Sequence, residues 1–260
     1  MKRRARILVA IGLLALLSGV AYRVWHPREP SWQGKPLSRW VAGFEAPATE
    51  QSYKDSAVAL RQIGTNALPM LMRMFQVEDS PAKQKLMEVV PRQWWTRAGI
   101  TPASVDHHRA LFALDALGPM AAPAVPELIG LLTVTNVEIQ CYAAHALGSI
   151  GAEEQVIVPA LTNALGDPNY AFRITIEESL ARVHKLPEVA VPALIAHLGS
   201  IDISEIKAVC LALSKFGPKA RAAVPALQEL AQDKDSMRSE AAAEAIKHIM
   251  PEAPTGINQQ

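Results

Sequence analysis

The sequence predicts an all-α fold, an α-solenoid (superhelix) of two-helix repeats preceded by one N-terminal transmembrane or signal helix. Three observations predict it. A branched aliphatic residue recurs every 33 positions, from Leu114 through Leu147, Leu180 and Leu213 to Ile246. Pro126, Pro159, Pro192 and Pro225 keep the same interval of 33. The 260 residues are 50% hydrophobic but only 5% aromatic, with alanine and leucine dominant. That composition suits close helix packing on small side chains rather than bulky cross-strand pairs.

From the N-terminus, residues 1–6 form a basic flank and residues 7–25 open with 15 uncharged residues, Ile7 to Ala21. A basic flank ahead of an apolar run is a targeting or membrane element whose basic side stays in the cytoplasm. The run is shorter than the ~20 residues that span a bilayer, and Gly19-Val20-Ala21 offers a cleavage site. Two outcomes stay open. An uncleaved anchor is favoured by Tyr22, Trp25 and Trp32 at interfacial depth and by a snorkelling Arg23, and a cleaved signal peptide is the alternative. The first places the chain in the inner (cytoplasmic) membrane, single-pass with its body outside the cytoplasm. The second leaves it secreted or periplasmic.

Residues 26–35 read as a linker and 36–250 as the solenoid. Leu37, Trp40, Val41 and Phe44 share one side of a short amphipathic segment directly ahead of the first repeat, the place of the cap that a solenoid needs. The same stripe would also suit a membrane surface.

The repeat itself follows from two ladders. Ala59-Leu60, Ala113-Leu114, Ala146-Leu147 and Ala212-Leu213 each run into a glycine, at Gly64, Gly118, Gly151 and Gly217. Val-Pro-x-Leu then recurs at Val125, Val158, Val191 and Val224, with Leu68-Pro69-Met70-Leu71 as an earlier version. Two ladders with one period make chance similarity improbable. In the third unit Ile139, Ala143, Leu147 and Ile150 share a helical face that Gly148 and Gly151 close. A second helix is expected to open with Pro159 in its first turn and to bury Val158, Leu161 and Leu165. Gly166-Asp167-Pro168-Asn169 turns the chain into the next unit. One hairpin of this size cannot bury both faces, so units must stack. The pattern yields five units and a final single helix, with residues 251–260 a disordered polar tail.

The period breaks at about 77–105, where an insert lies between the first and second units. Ser80-Pro81 starts a helix there, with Leu86, Met87, Val89 and Val90 as its apolar face. The insert carries the adjacent Trp94 and Trp95, the candidate partner-binding residues, since tryptophan is enriched at binding hot spots. The competing reading is that they plug an irregular junction.

The ladders resemble the short HEAT repeats of the phycobilisome-lyase-like group, whose units read approximately Ala-Val-Pro-Ala-Leu, an Asp turn, an Arg, then Ala-Ala-x-Ala-Leu-Gly. The resemblance covers about residues 53 to 250. It implies the solenoid fold and, for function, a lyase or chaperone-like role in cofactor or chromophore attachment, the alternative to the scaffold that the repeats themselves suggest. The turn Asp and following Arg occur together only at Asp167 and Arg173. The matching Arg positions elsewhere hold Tyr53, His107, Gln140, Ile206 and Ser239.

Chemistry is sparse. With Lys2, Arg3, Arg4 and Arg6 set aside, 22 basic face 25 acidic side chains, a poor phosphate binder, so nucleic acid is not an expected partner. Cys141 and Cys210 lie two repeats apart and are expected to be free, because stacked helices sit roughly 8–10 Å apart. The seven histidines are scattered. His145 and His248 face outward, His184 replaces a turn glycine, His197 flanks a core face, and the adjacent His107 and His108 point apart. Deoxyhypusine hydroxylase, a HEAT-repeat enzyme, binds iron through His-Glu pairs, and this chain has no His-Glu dipeptide. Glu177 occupies a column held elsewhere by Ala57, Leu111, Ala144, Cys210 and Ala243, and is expected to reach water from the edge of its face. No phosphate loop, nucleophile motif or Cys-x-x-Cys pair occurs. The expected function is a non-catalytic scaffold without cofactor or metal, tethered to a membrane and holding a protein or peptide on its second-helix side.

Overall fold

The computed structural model describes residues 29–45, 49–95 and 97–251. The basic flank, the apolar run at 7–25 and the tail from residue 252 lie outside the described residues. Where the sequence reads a linker, Ser31–Trp32 (β1) and Lys35–Pro36 (β2) pair antiparallel around Gln33 and Gly34, both at positive φ. Positive φ at both central residues is what a two-residue hairpin requires. Helix α1 (Leu37–Val41) and a 3₁₀ turn, Ala42–Phe44, follow, and Leu37, Trp40, Val41 and Phe44 are all buried. Trp40 Nε1 donates to Trp32 O at 3.3 Å, so the hairpin and α1 form one unit.

Helices α2 (Glu50–Ile63) and α3 (Leu68–Phe75) make the first repeat, and α4 (Pro81–Val89) lies in the insert. The pairs α5 (Ala103–Leu117) with α6 (Val125–Leu131), α7 (Val137–Ile150) with α8 (Glu154–Ala164), α9 (Tyr170–Val183) with α10 (Pro187–Ala196), and α11 (Ile203–Phe216) with α12 (Val224–Leu230) follow. A single α13 (Ser236–Ile249) ends the stack. The described residues form a helical repeat solenoid of five pairs and one closing helix.

Burial explains the ladders. Leu60, Leu114, Leu147, Leu180 and Leu213 are 0% exposed. They share one continuous core with the alanines beside them. First helices pack on first helices along the chain, α7 on α9, α9 on α11 and α11 on α13. Gly148 marks how closely: a Cβ there would lie 2.9 Å from Ser179 Cα. Each first helix from α5 on is capped by the turn before it wherever Asx is available. Asn136, Asn169, Asp202 and Asp235 side chains each accept two backbone N–H groups of α7, α9, α11 and α13, satisfying donors that no helix can satisfy internally.

One expectation changes. Pro159 lies inside α8, not in its first turn, and Pro192 likewise lies inside α10. In these units the chain leaves the first helix through Gly151 or His184 in left-handed conformation and, after two intervening residues, resumes α-helix at Glu154 or Pro187. In the second and fifth units Gly118 and Gly217 open 3₁₀ runs, so Pro126 and Pro225 do fall in the first turn. The helical stretch Ala103–Leu131 is long and apolar enough to cross a membrane. It is broken by the 3₁₀ run at Gly118–Ala124, and its leucines lie in the shared core.

Candidate functional site

Three places on the solenoid combine accessible or unusual chemistry: the insert, the grooves beside the second helices, and a charged cluster between the fourth and fifth units. The insert is tied at both ends. Asp79 accepts the Ala103 N–H on both carboxylate oxygens at 3.1 Å and pairs with Lys83, while His107 Nε2 lies 2.9 Å from Val77 O. Between these anchors α4 buries nothing: Leu86 is 48% and Val89 79% exposed. The apolar face expected at Leu86, Met87, Val89 and Val90 therefore does not serve the core, because the first and second units pack directly on each other, α2 and α3 against α5.

The structure separates the two candidate tryptophans. Trp95 is partly buried, its Nε1 donating to Val90 O at 2.8 Å, with the Arg92 guanidinium 5.8 Å from its ring. Trp94 is 47% exposed, and the Arg97 guanidinium lies 5.1 Å from its ring centroid. Neither belongs to the core, so the junction-plug reading fails for Trp94.

Beside the second helices run open grooves. One of ≈ 750 Å³ lies between the N-terminal hairpin and α3, with Ile63, Asn66, Met70, Arg73, Met74 and Val77 in its lining. Another of ≈ 550 Å³ separates α6 from α8, lined by Ile129, Leu132, Ala160, Asn163, Ala164 and Asp167 among others. Both mix apolar area with hydrogen-bonding groups.

The cluster is built on the one unit that has the turn Asp and the following Arg together. Arg173 Nη1 donates to Asp167 O and Pro168 O at 2.8 and 3.0 Å, closing the turn that Asn169 caps. His107 and Gln140, 33 residues apart in the same column, do the same for Val77 O and Leu132 O at 2.9 and 3.0 Å. In these three units the column supplies a donor that reaches back, and it need not be arginine. Arg173 keeps its Nε and Nη2 donors free for a second partner. Its Nε and Nη2 hold Glu205 Oε1 and Oε2 at 2.6 and 2.8 Å, a two-point pair.

Glu205 is placed by the Asp202 cap of α11 and also accepts from Ser200 Oγ at 2.7 Å. Hydrogen bonds from Arg173 first, then Ser200 and His197, hold its carboxyl down to about 2 against the opposing effect of burial. Glu177, one turn beyond Arg173 on α9, does not reach water as expected: it is 0% exposed and neither carboxylate oxygen has a hydrogen-bond partner. Burial, and secondarily the negative charge of Glu205, push it up to about 9. His197 caps the C-terminus of α10, with Nδ1 3.3 Å from Glu205 Oε1 and 4.0 Å from Glu177 Oε1. The anomaly of Glu177 among small residues was visible in the sequence. Its meeting with His197 and Glu205 was not, because it depends on how α10 ends against two successive first helices.

A family model described as HEAT repeats matches residues 158–247. Solved structures similar to the chain include computationally designed armadillo repeat proteins for modular peptide recognition, at 20% identity and TM-score 0.44, covering 82% of this chain and 99% of that one. They also include a designed armadillo repeat protein in complex with a (KR)4 peptide, at 18% identity and TM-score 0.44, covering 83% and 100%. An engineered protein aligns at 18% identity and TM-score 0.46, covering 83% and 98%. No curated protein matches the chain.

Proposed function

We propose that this HEAT-type repeat stack is a non-catalytic scaffold that holds a protein or peptide along its second-helix side, tethered to the cytoplasmic membrane with its body outside the cytoplasm. The observation that carries the binding role is the ≈ 750 Å³ groove beside α3. Met70 and Met74 offer adaptable apolar contact there, and Gln62, Asn66 and Arg73 offer hydrogen bonds at the rim. Tethering rests on the sequence alone, on Lys2, Arg3, Arg4 and Arg6 ahead of 15 uncharged residues. The phycobilisome-lyase-like wording of the units supports their assignment to the short HEAT group and assigns no lyase activity.

A photo-cross-linking residue placed at Met74 in the full chain tests the binding role in intact cells. The expected result is a discrete adduct, absent when the same residue replaces Lys247 on the far end of the stack. Equal or no labelling at the two positions would refute it. Protease accessibility of the body in spheroplasts tests the orientation, since a protected body would place it in the cytoplasm.

A further inference from the structure

We propose that Glu177, His197 and Glu205 bind a divalent transition-metal ion of the Zn²⁺ class that ties α9, α10 and α11 together. Their ligating atoms all lie within 4.8 Å of one another. The His197 Nδ1 to Glu205 Oε1 separation of 3.3 Å matches the edge of a tetrahedron with metal–ligand bonds of roughly 2.0–2.1 Å. Glu177 Oε1 lies 4.0 Å from His197 Nδ1, so it must move closer to reach the same edge length.

The independent reason to look for a ligand is Glu177 itself. Native proteins rarely leave a buried polar group unpartnered, yet both of its oxygens are fully buried and unpaired. A proton would remove the charge and make one oxygen a donor, but it would supply no donor to the other. A cation at His197 Nδ1 would neutralise the carboxylate and be within reach of its Oε1.

The surroundings fit that role. Arg173 and Ser200 already orient the Glu205 carboxylate, as outer-shell partners orient metal-binding carboxylates. The ion takes the place of the present His197 contact on Oε1. The carbonyl end of α10, where His197 sits, favours positive charge. His197 is partly exposed, which leaves an entry path and a fourth position for water. One imidazole nitrogen with two carboxylates suits zinc-like ions over Mg²⁺ or Ca²⁺, which prefer oxygen-only shells. The guanidinium beside Glu205 repels the ion, so binding is weaker than at a structural zinc centre.

The test is metal binding by the chelator-stripped full chain, titrated calorimetrically with ZnCl₂ and with MgCl₂. One Zn²⁺ per chain is expected, with affinity weakened at least about tenfold in Glu177→Gln and His197→Gln and unchanged in the exposed His248→Gln. Zn²⁺ should raise the Tm of the unmodified chain and not that of Glu177→Gln. Glu177→Gln removes a buried charge, so its helical circular dichroism is expected to persist and it carries the test even if His197→Gln misfolds. No Zn²⁺ uptake by the unmodified chain, undiminished uptake by Glu177→Gln, or preference for Mg²⁺ would each overturn the proposal.

Discussion

Glu177 and Glu205 lie on neighbouring first helices and respond to pH in opposite directions. In the metal-free protein Glu177 is raised from 4.5 to about 9, so between those values the native state binds a proton that the unfolded chain does not. Stability from this group is complete below pH 4.5 and is lost as pH rises through 9. Glu205, lowered from 4.5 to about 2, contributes stability above 4.5 that is lost as pH falls toward 2. Glu177→Gln should therefore flatten the alkaline side of the stability profile and gain a few kcal/mol near pH 9, measured by urea unfolding of the metal-free chain across the window. Arg173→Ala strands a buried carboxylate and should lose about 3–5 kcal/mol by the same measurement. The double change with Glu205→Gln should recover part of that loss. A donor back-bond at position 173 was readable from its column mates only once His107 and Gln140 were seen making it.

At the level of elements, the first helices are spaced by their smallest residues. Gly148→Ala drives a methyl group into Ser179 on α9, and overpacking of that kind costs about 1–3 kcal/mol, measurable as a lowered Tm. Gly118 opens its 3₁₀ run at φ 53, ψ −129, a conformation that strains any side chain. Repeat pairs were legible because the α-helical period and the 33-residue period coincide on one buried face. The facing of α4 was not legible. Its apolar residues have helical spacing, but the sequence cannot tell that α5 has already closed the core beneath it. Val89→Lys and Trp94→Ala should accordingly change stability by less than about 0.5 kcal/mol in thermal unfolding. A larger loss in either would mean that the insert packs on the body.

For the whole molecule, a stack in which each unit touches only its neighbours unfolds from its ends. Helix α13 closes the C-terminal end by burying Ala242, Ala245 and Ile249. A chain ending at Asp233 should lose hydrogen-exchange protection first in α11 and α12 while α5 and α7 stay protected. Uniform loss of protection would show instead that the five pairs unfold as one cooperative block. The N-terminal end is closed differently, by the hairpin and α1, where Trp32 and Trp40 lie 5.5 Å apart between ring centroids.

The sequence by itself determined the solenoid, its unit count, the cap stripe and the insert, because each follows from local spacing that repeats in register. The tertiary structure decided the rest. It turned the supposed linker into a hairpin, left Trp94 in solvent and held Trp95 down, and buried Glu177 against His197 and Glu205. These outcomes depend on the distances between helices far apart in sequence, which a one-dimensional period does not encode.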